Sequence, residues 1–247
     1  HGWGPCGRRF KSCLPDHPPS PRFPRGYGGF LFGVQLKAMY LVLIVVSIAL
    51  LLVGNELWWR KKGFHGEVGR KFIHITVGSF VAFWPFFMTW NQIRLLSLAF
   101  LLVVVISKYL HLFRAIHSVQ RPTWGEIYFA LAVGAITFIT NNKWIYMAAL
   151  LQMSLADGLA AIIGVRYGMK RHYLIHGQVK SLIGTATFIV TSVLILLAFV
   201  HLSNIPLSSA TILGLSYLAA LIENIGVFGL DNLLVPIVVA SALVRLT

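Results

Sequence analysis

The chain is poor in acid: seven Asp and Glu stand against 21 Lys and Arg among 247 residues, and only 11% of all residues are charged. Soluble domains carry about 25% charged residues to cover their surface, so a water-facing globule is excluded. Cysteine is scarce too. Cys6 and Cys13 both lie near the start, which leaves the body of the chain without a disulfide framework or a cysteine-held metal. The nine His residues are scattered, and none forms the helical zinc pair plus a base of the H-E-x-x-H type. There is no Walker A loop, because Val179 stands where that pattern needs glycine before the lysine of "GQVKS". The net charge of +14 comes without any nucleic-acid-binding motif. Its basic residues flank apolar runs, as topology determinants and lipid-headgroup contacts do, so no nucleic acid is expected as a partner.

What the chain does have is apolar length. It is 57% hydrophobic with a mean hydropathy of +0.77. A hydrocarbon core about 30 Å thick takes about 20 apolar residues per spanning helix. The expected fold is all-α, a polytopic transmembrane helical bundle of about seven to eight spans: roughly 39–57, 72–89, 93–112, 126–141, 144–164, 182–202, 207–225 and 230–246. The 126–141 and 230–246 runs are short enough to be partly re-entrant. Trp58, Trp59, Trp84, Trp90, Trp124 and Trp144 fall near span ends, where aromatic belts form. Connections after spans one, three and five hold twelve Lys and Arg, from Arg60 to Lys180, against Arg94, Lys143 and Arg245 on the other side. The positive-inside rule therefore puts those connections, and "ENIGVFGLDN" with them, on the cytoplasmic face of a multi-pass cell-membrane protein.

Against this apolar background a few polar residues need a reason. Asp157 lies in "QMSLADGLAAIIGVRYG", where a carboxylate costs about 2.5–3.5 kcal/mol on insertion scales. Around it Ala156, Ala160, Gly164 and Gly168 recur every fourth residue, a stripe that lets helices approach closely. Lys180 and Ser181 open the next span, where free N–H groups and the helix dipole attract anions; a snorkelling lysine is the plainer alternative. Glu223 closes span seven, and Asp231 with Asn232 opens span eight, where helix capping is the plainer role. Arg70, Lys71 and His74 enter span two; the first two suit a membrane flank, but His74 is a turn inside. Asp157, Glu223 and Asp231, with Lys180 and Arg166 nearby, suit Mg²⁺ and a nucleoside triphosphate. Mg²⁺ takes a few carboxylates and shares the rest of its shell with phosphates. Phosphoryl transfer mainly needs positioning and charge neutralisation.

Four motifs in order, "RKFIH" (70–74), "ADGLAAIIGVRYG" (156–168), "KSLIGT" (180–185) and "LIENIGVFGLDNLLVP" (221–236), resemble the polyprenol kinase family of phytol kinases, dolichol kinases and CTP-dependent diacylglycerol kinases. The resemblance covers roughly residues 56–247. It implies an integral membrane kinase moving the γ-phosphate of CTP, or of ATP or UTP, onto a lipid alcohol. It further implies that Asp157 ligates Mg²⁺ or acts as base, that Lys180 contacts phosphate with Ser181 and Arg166 nearby, and that Glu223, Asp231 and Asn232 complete the metal and nucleotide shell. Arg70, Lys71 and His74 would support phosphate or headgroup binding. The short length is closer to phytol kinases than to dolichol kinases. The loop "MKRHYLIHGQV" departs from the family pattern in lacking an Asn-Pro-like approach to Lys180, which bears on nucleotide preference. Two other readings stay open: a CDP-diacylglycerol synthase-like cytidylyltransferase, and a secondary transporter with midplane carboxylates. The first lacks its longer acidic C-terminal segment, and the second lacks a visible repeat.

Residues 1–38 differ in composition from the rest and are expected to be a disordered or artefactual tail, with the membrane kinase-like domain at 39–247. "RFKSCLPDH", Arg9 to His17, can be encoded by CGG TTC AAG TCC TGC CTC CCC GAC CAC, which spells a tRNA T-arm, an acceptor strand and a terminal CCA. A reading frame extended upstream through a tRNA gene, with Met39 as the true start, accounts for this. It also removes six basic residues from the outer side of the membrane. Genomic sequence upstream of codon 39 is expected to contain that T-arm and CCA; any other nucleotide sequence there overturns this reading.

Overall fold

Side-chain caps set where three of the helices begin. Asn142 accepts from the Trp144 N–H at 2.9 Å, Ser181 from Gly184 at 3.0 Å and Ser208 from Thr211 at 3.1 Å. Each satisfies an N–H that the first helical turn leaves without an internal partner. The computed structural model describes residues 1, 46, 47, 50, 54, 67–110, 124–168, 171–175 and 178–247, the side chains of 67 and 107–110 excepted. The chain divides into His1–Met39 and Tyr40–Thr247, and every helix and strand named below belongs to the second unit. The expectations for 1–38 and for most of the span at 39–57 lie outside the described residues.

Seven helices stand among the described residues from position 67 onward. They are α1 (Glu67–Ala82), α2 (Trp90–Leu110), α3 (Gly125–Ile139), α4 (Lys143–Tyr167), α5 (Leu182–Ser203), α6 (Ser209–Ile225) and α7 (Asp231–Leu246). Their bounds follow the hydropathy runs within a few residues, except that the run at 72–89 is cut short. Pro85 sits in a 3₁₀ turn, Trp84–Phe86, and α1 ends before it. A proline cannot continue a helix without losing a hydrogen bond and clashing with the preceding turn. The short runs at 126–141 and 230–246 form single helices, α3 and α7, with Pro236 inside the latter.

Two features were not expected. Residues Gln152–Ala156 of α4 form a π turn, one residue wider than an α turn. The basic loop after α4 contains an antiparallel hairpin, β1 (His172–Ile175) and β2 (Gln178–Ser181), with Tyr173 opposite Lys180. The fold nevertheless remains predominantly helical.

Two helices, Lys143–Tyr167 and Leu182–Ser203, are long and apolar enough to cross a membrane; α3, α6 and part of α2 are shorter apolar helices. The outward faces agree with a lipid environment. Leu98, Leu102, Val103 and Ile106 on α2, Val190, Leu194 and Leu197 on α5, and Leu213, Tyr217 and Leu221 on α6 are all exposed. In water so many contiguous apolar side chains would drive association.

Small residues let the helices come together. A Cβ on Gly164 would meet Gly184 and Ser181, and one on Gly184 would lie 3.0 Å from the Ala160 carbonyl. The stripe read from the sequence thus faces the start of α5. A second close approach joins α1 to α4. A Cβ on Gly78 would collide with Ser154, and one on Gly158 with Ile75. Such contacts are how membrane helices gain packing energy where no hydrophobic effect separates helix from lipid. Because Ser154 Cβ is tied to its backbone, Gly78→Ala is expected to cost about 1–3 kcal/mol by overpacking. The thermal midpoint of detergent-solubilised protein should fall, and Ser154→Gly in the same chain should restore part of it.

Candidate functional site

The π turn ends at Asp157, whose N–H bonds back to the Gln152 carbonyl. Its carboxylate points into the interface with α1 and is only 3% exposed. The close α1–α4 packing brings Lys71 there, and its Nζ donates to Asp157 Oδ2. One helical turn further along α1, His74 Nε2 lies 4.0 Å from the same oxygen and 3.3 Å from the Met153 carbonyl. The His74 ring stands edge-on to Phe129 with centroids 5.2 Å apart.

A second ion pair lies across the site. Lys180 on β2 donates to Glu223 Oε1 and, at 3.1 Å, to the Glu223 backbone carbonyl at the end of α6. Burial works against the Lys180 ammonium, but the facing Glu223, with Asp157 and Asp231 beyond it, outweighs this. Its pKa is therefore held above the ordinary lysine value, and Lys180 stays charged throughout the neutral range.

The turn from α6 to α7 places the third carboxylate. Phe228 and Gly229 take positive φ, 55° and 88°, a conformation that costs energy for a bulky residue and suits glycine. A Cβ on Gly229 would also press into the backbone of Gly125. This reversal sets Asp231 and Asn232 in the first turn of α7. Neither caps it: the cap position is Leu230 and carries no side-chain bond. Asn232 Nδ2 instead donates to the Gly125 carbonyl at 3.1 Å. The Arg70 guanidinium approaches the same place, since a Cβ on Gly125 would lie 3.3 Å from it and 2.9 Å from Asn232 Nδ2. Asp231 is within electrostatic reach of Asp157, Lys71, Lys180 and Arg70.

One oxygen from each of Asp157, Glu223 and Asp231 lies within 4.8 Å of the others, and all three residues are buried. Lysines answer two of these carboxylates, while Asp231 Oδ1 and Asn232 Oδ1 are buried without a hydrogen-bond partner among the described residues. An all-oxygen donor set with an unanswered carboxylate oxygen suits a hard divalent cation such as Mg²⁺.

Of the residues expected from the sequence, the structure gathers Asp157, Lys71, His74, Arg70, Lys180, Glu223, Asp231 and Asn232 at one end of the bundle. Two stand apart. Ser181 spends its hydroxyl as the α5 cap. Arg166 is exposed on α4, its guanidinium 5.6 Å from the ring of Tyr167. Sequence reasoning also missed Tyr173 and Thr185, which meet Asn224 beside Glu223. The available signal was "HYLIHGQVKS", two short β-prone runs about a His-Gly pair, a hairpin pattern.

A phytol kinase of Synechocystis sp. is 31% identical over 219 residues, covering 85% of this chain and 89% of the relative. The chain belongs to the polyprenol kinase family. With its exposed apolar helices, this family member is a membrane protein. No family profile matches it, and no solved structure does.

Lys71→Met should strand the Asp157 charge in an apolar interface. Breaking a buried pair in this way costs about 3–5 kcal/mol. The expected readout is loss of folded protein in detergent, with Lys71→Met plus Asp157→Asn recovering most of it; equal loss in the single and double variants would contradict the pairing.

Proposed function

We propose that the chain is a lipid-alcohol kinase that transfers the γ-phosphate of CTP, or of another nucleoside triphosphate, to an isoprenoid alcohol such as phytol or a polyprenol, or to diacylglycerol. It works at the cytoplasmic face of the cell membrane from a multi-pass bundle of seven to eight spans. The observation that carries this reading is the cluster of Asp157, Glu223 and Asp231, three buried carboxylates within 4.8 Å, framed by Lys71 and Lys180. The relative's name, phytol kinase, supports the acceptor class.

In this reading Asp157, Glu223 and Asp231 would hold Mg²⁺, which would supply charge neutralisation on the phosphates. Lys180 reaches the site on the hairpin and exchanges its contact with Glu223 for the phosphate oxygens. Lys71 balances the charge of Asp157 and holds that side chain in place. Arg70 and Asn232, side by side over Gly125, orient the nucleotide. The lipid hydroxyl enters from the apolar side and gives up its proton to a carboxylate of this set, Asp157 serving either as that base or as a metal ligand. The hydroxyl oxygen bonds to the γ-phosphorus as the bond to the nucleoside diphosphate breaks. Burial excludes water, so the phosphoryl group meets the alcohol in preference to hydrolysis.

Membranes containing the protein, supplied with γ-labelled CTP or ATP and with phytol, farnesol, a polyprenol or diacylglycerol, are expected to place label in the lipid. Label released as pyrophosphate would indicate a cytidylyltransferase, and no label with any pair would sink the kinase reading. Chelation of divalent cations should abolish transfer. Asp157→Asn should lower it by at least about 100-fold, the scale of losing one group that stabilises transition-state charge; full activity in that variant would overturn the site.

A further inference from the structure

The hairpin is attached to the end of α6 at two adjacent residues by two neighbouring side chains. Tyr173 and Lys180 are directly opposed across the strands, and opposed residues of an antiparallel pair emerge on the same face. Glu223 and Asn224 are consecutive. Lys180 takes Glu223, and the Tyr173 hydroxyl donates to Asn224 Oδ1 at 2.6 Å. Thr185, on the first turn of α5, completes the second contact: its Oγ1 lies 2.6 Å from the Tyr173 hydroxyl and 3.3 Å from Asn224 Oδ1. Asn224 is itself fixed, because its Nδ2 donates to the Ala220 carbonyl at 2.9 Å and so turns Oδ1 toward the hairpin.

The two contacts differ in kind. The Lys180–Glu223 pair joins groups that both have a use for a ligand, an ammonium for phosphate and a carboxylate for a cation. The Tyr173–Asn224–Thr185 contact joins neutral groups, none of them among the three clustered carboxylates or their lysines. When a phosphate-bearing ligand and its cation enter, the ion pair must open, and the neutral contact then holds β1 and β2 against α6.

We propose that Tyr173, locked to Asn224 and Thr185, is a positioning residue that keeps the hairpin docked while Lys180 leaves Glu223 for the phosphates of the nucleotide. This rests on the kinase reading above. Tyr173 acts through Lys180 and does not itself touch the substrate.

Tyr173→Phe removes the hydroxyl and keeps the ring. Losing one such hydrogen bond is expected to raise KM for the nucleotide about five- to tenfold, with KM for the lipid alcohol unchanged. In a Lys180→Ala background the same substitution should add nothing, because there is no ammonium left to place. Equal effects with and without Lys180, or an equal rise in both KM values, would show a general structural role and overturn the proposal. Thr185→Val is the second variant, expected to raise the nucleotide KM less and in the same direction; no change in either variant also overturns it. Amide hydrogen exchange over residues 172–181, with magnesium and CTP added, supplies a readout besides activity. Protection should survive ligand in the wild type and fall in Tyr173→Phe. A wild-type protein that labels no lipid alcohol overturns the kinase reading itself, whereas an active wild type with an indifferent Tyr173→Phe overturns only the positioning role.

Discussion

The arrangement turns on a single constraint: negative charge inside an apolar bundle has to be answered locally. Asp157, Glu223 and Asp231 are all less than a tenth exposed and mutually close, so each repels the others in a medium that screens poorly. Lys71 and Lys180 answer two of them, one from a helix and the other from a hairpin. The approach of α1 to α4, the docking of β1 and β2 and the reversal before α7 all serve to bring positive and polar groups to this one end.

The molecule is thus polarised in two senses. Across the described bundle apolar side chains also face outward, around an apolar core that holds a polar cluster. Along its length the charge is concentrated at the end bearing the hairpin. At the opposite end Trp90 packs on Tyr146, and Trp144 on Phe86, around the start of α4, an aromatic collar of the kind found at membrane boundaries.

Much of this was legible in the residues. Long apolar runs have one regular solution in lipid, since the helix alone satisfies every backbone group within a segment, and the helix limits followed. The isolated acids were legible for the same reason: in a chain with so few, Asp157, Glu223 and Asp231 stood out by cost. What stayed hidden depends on geometry that has no local signature. The choice of Lys71, rather than Lys180 or Arg166, as the partner of Asp157 requires the α1–α4 approach, and that rests on Gly78 and Gly158 facing Ser154 and Ile75. The stripe at Ala160, Gly164 and Gly168 drew notice because it is periodic; Gly78 is solitary and did not. Tyr173 and Thr185 read as ordinary loop and helix residues until the hairpin register set them beside Asn224. Capping was the plainer alternative for Asp231 because caps are usually acidic or hydroxylated, but the turn at Phe228 and Gly229 delivers it one position too late for that duty.

The π turn before Asp157 has a meaning in terms of phase. Each residue of an α-helix advances the side-chain direction by about 100°, so a turn holding one residue too many acts as a fixed angular offset between the two halves of α4. The first half can keep its apolar face on the core while the second is clocked to aim a carboxylate at α1 and its small residues at α5. A chain one residue shorter between Leu151 and Asp157 would keep every side chain needed for the site but turn Asp157 out of phase with the rest.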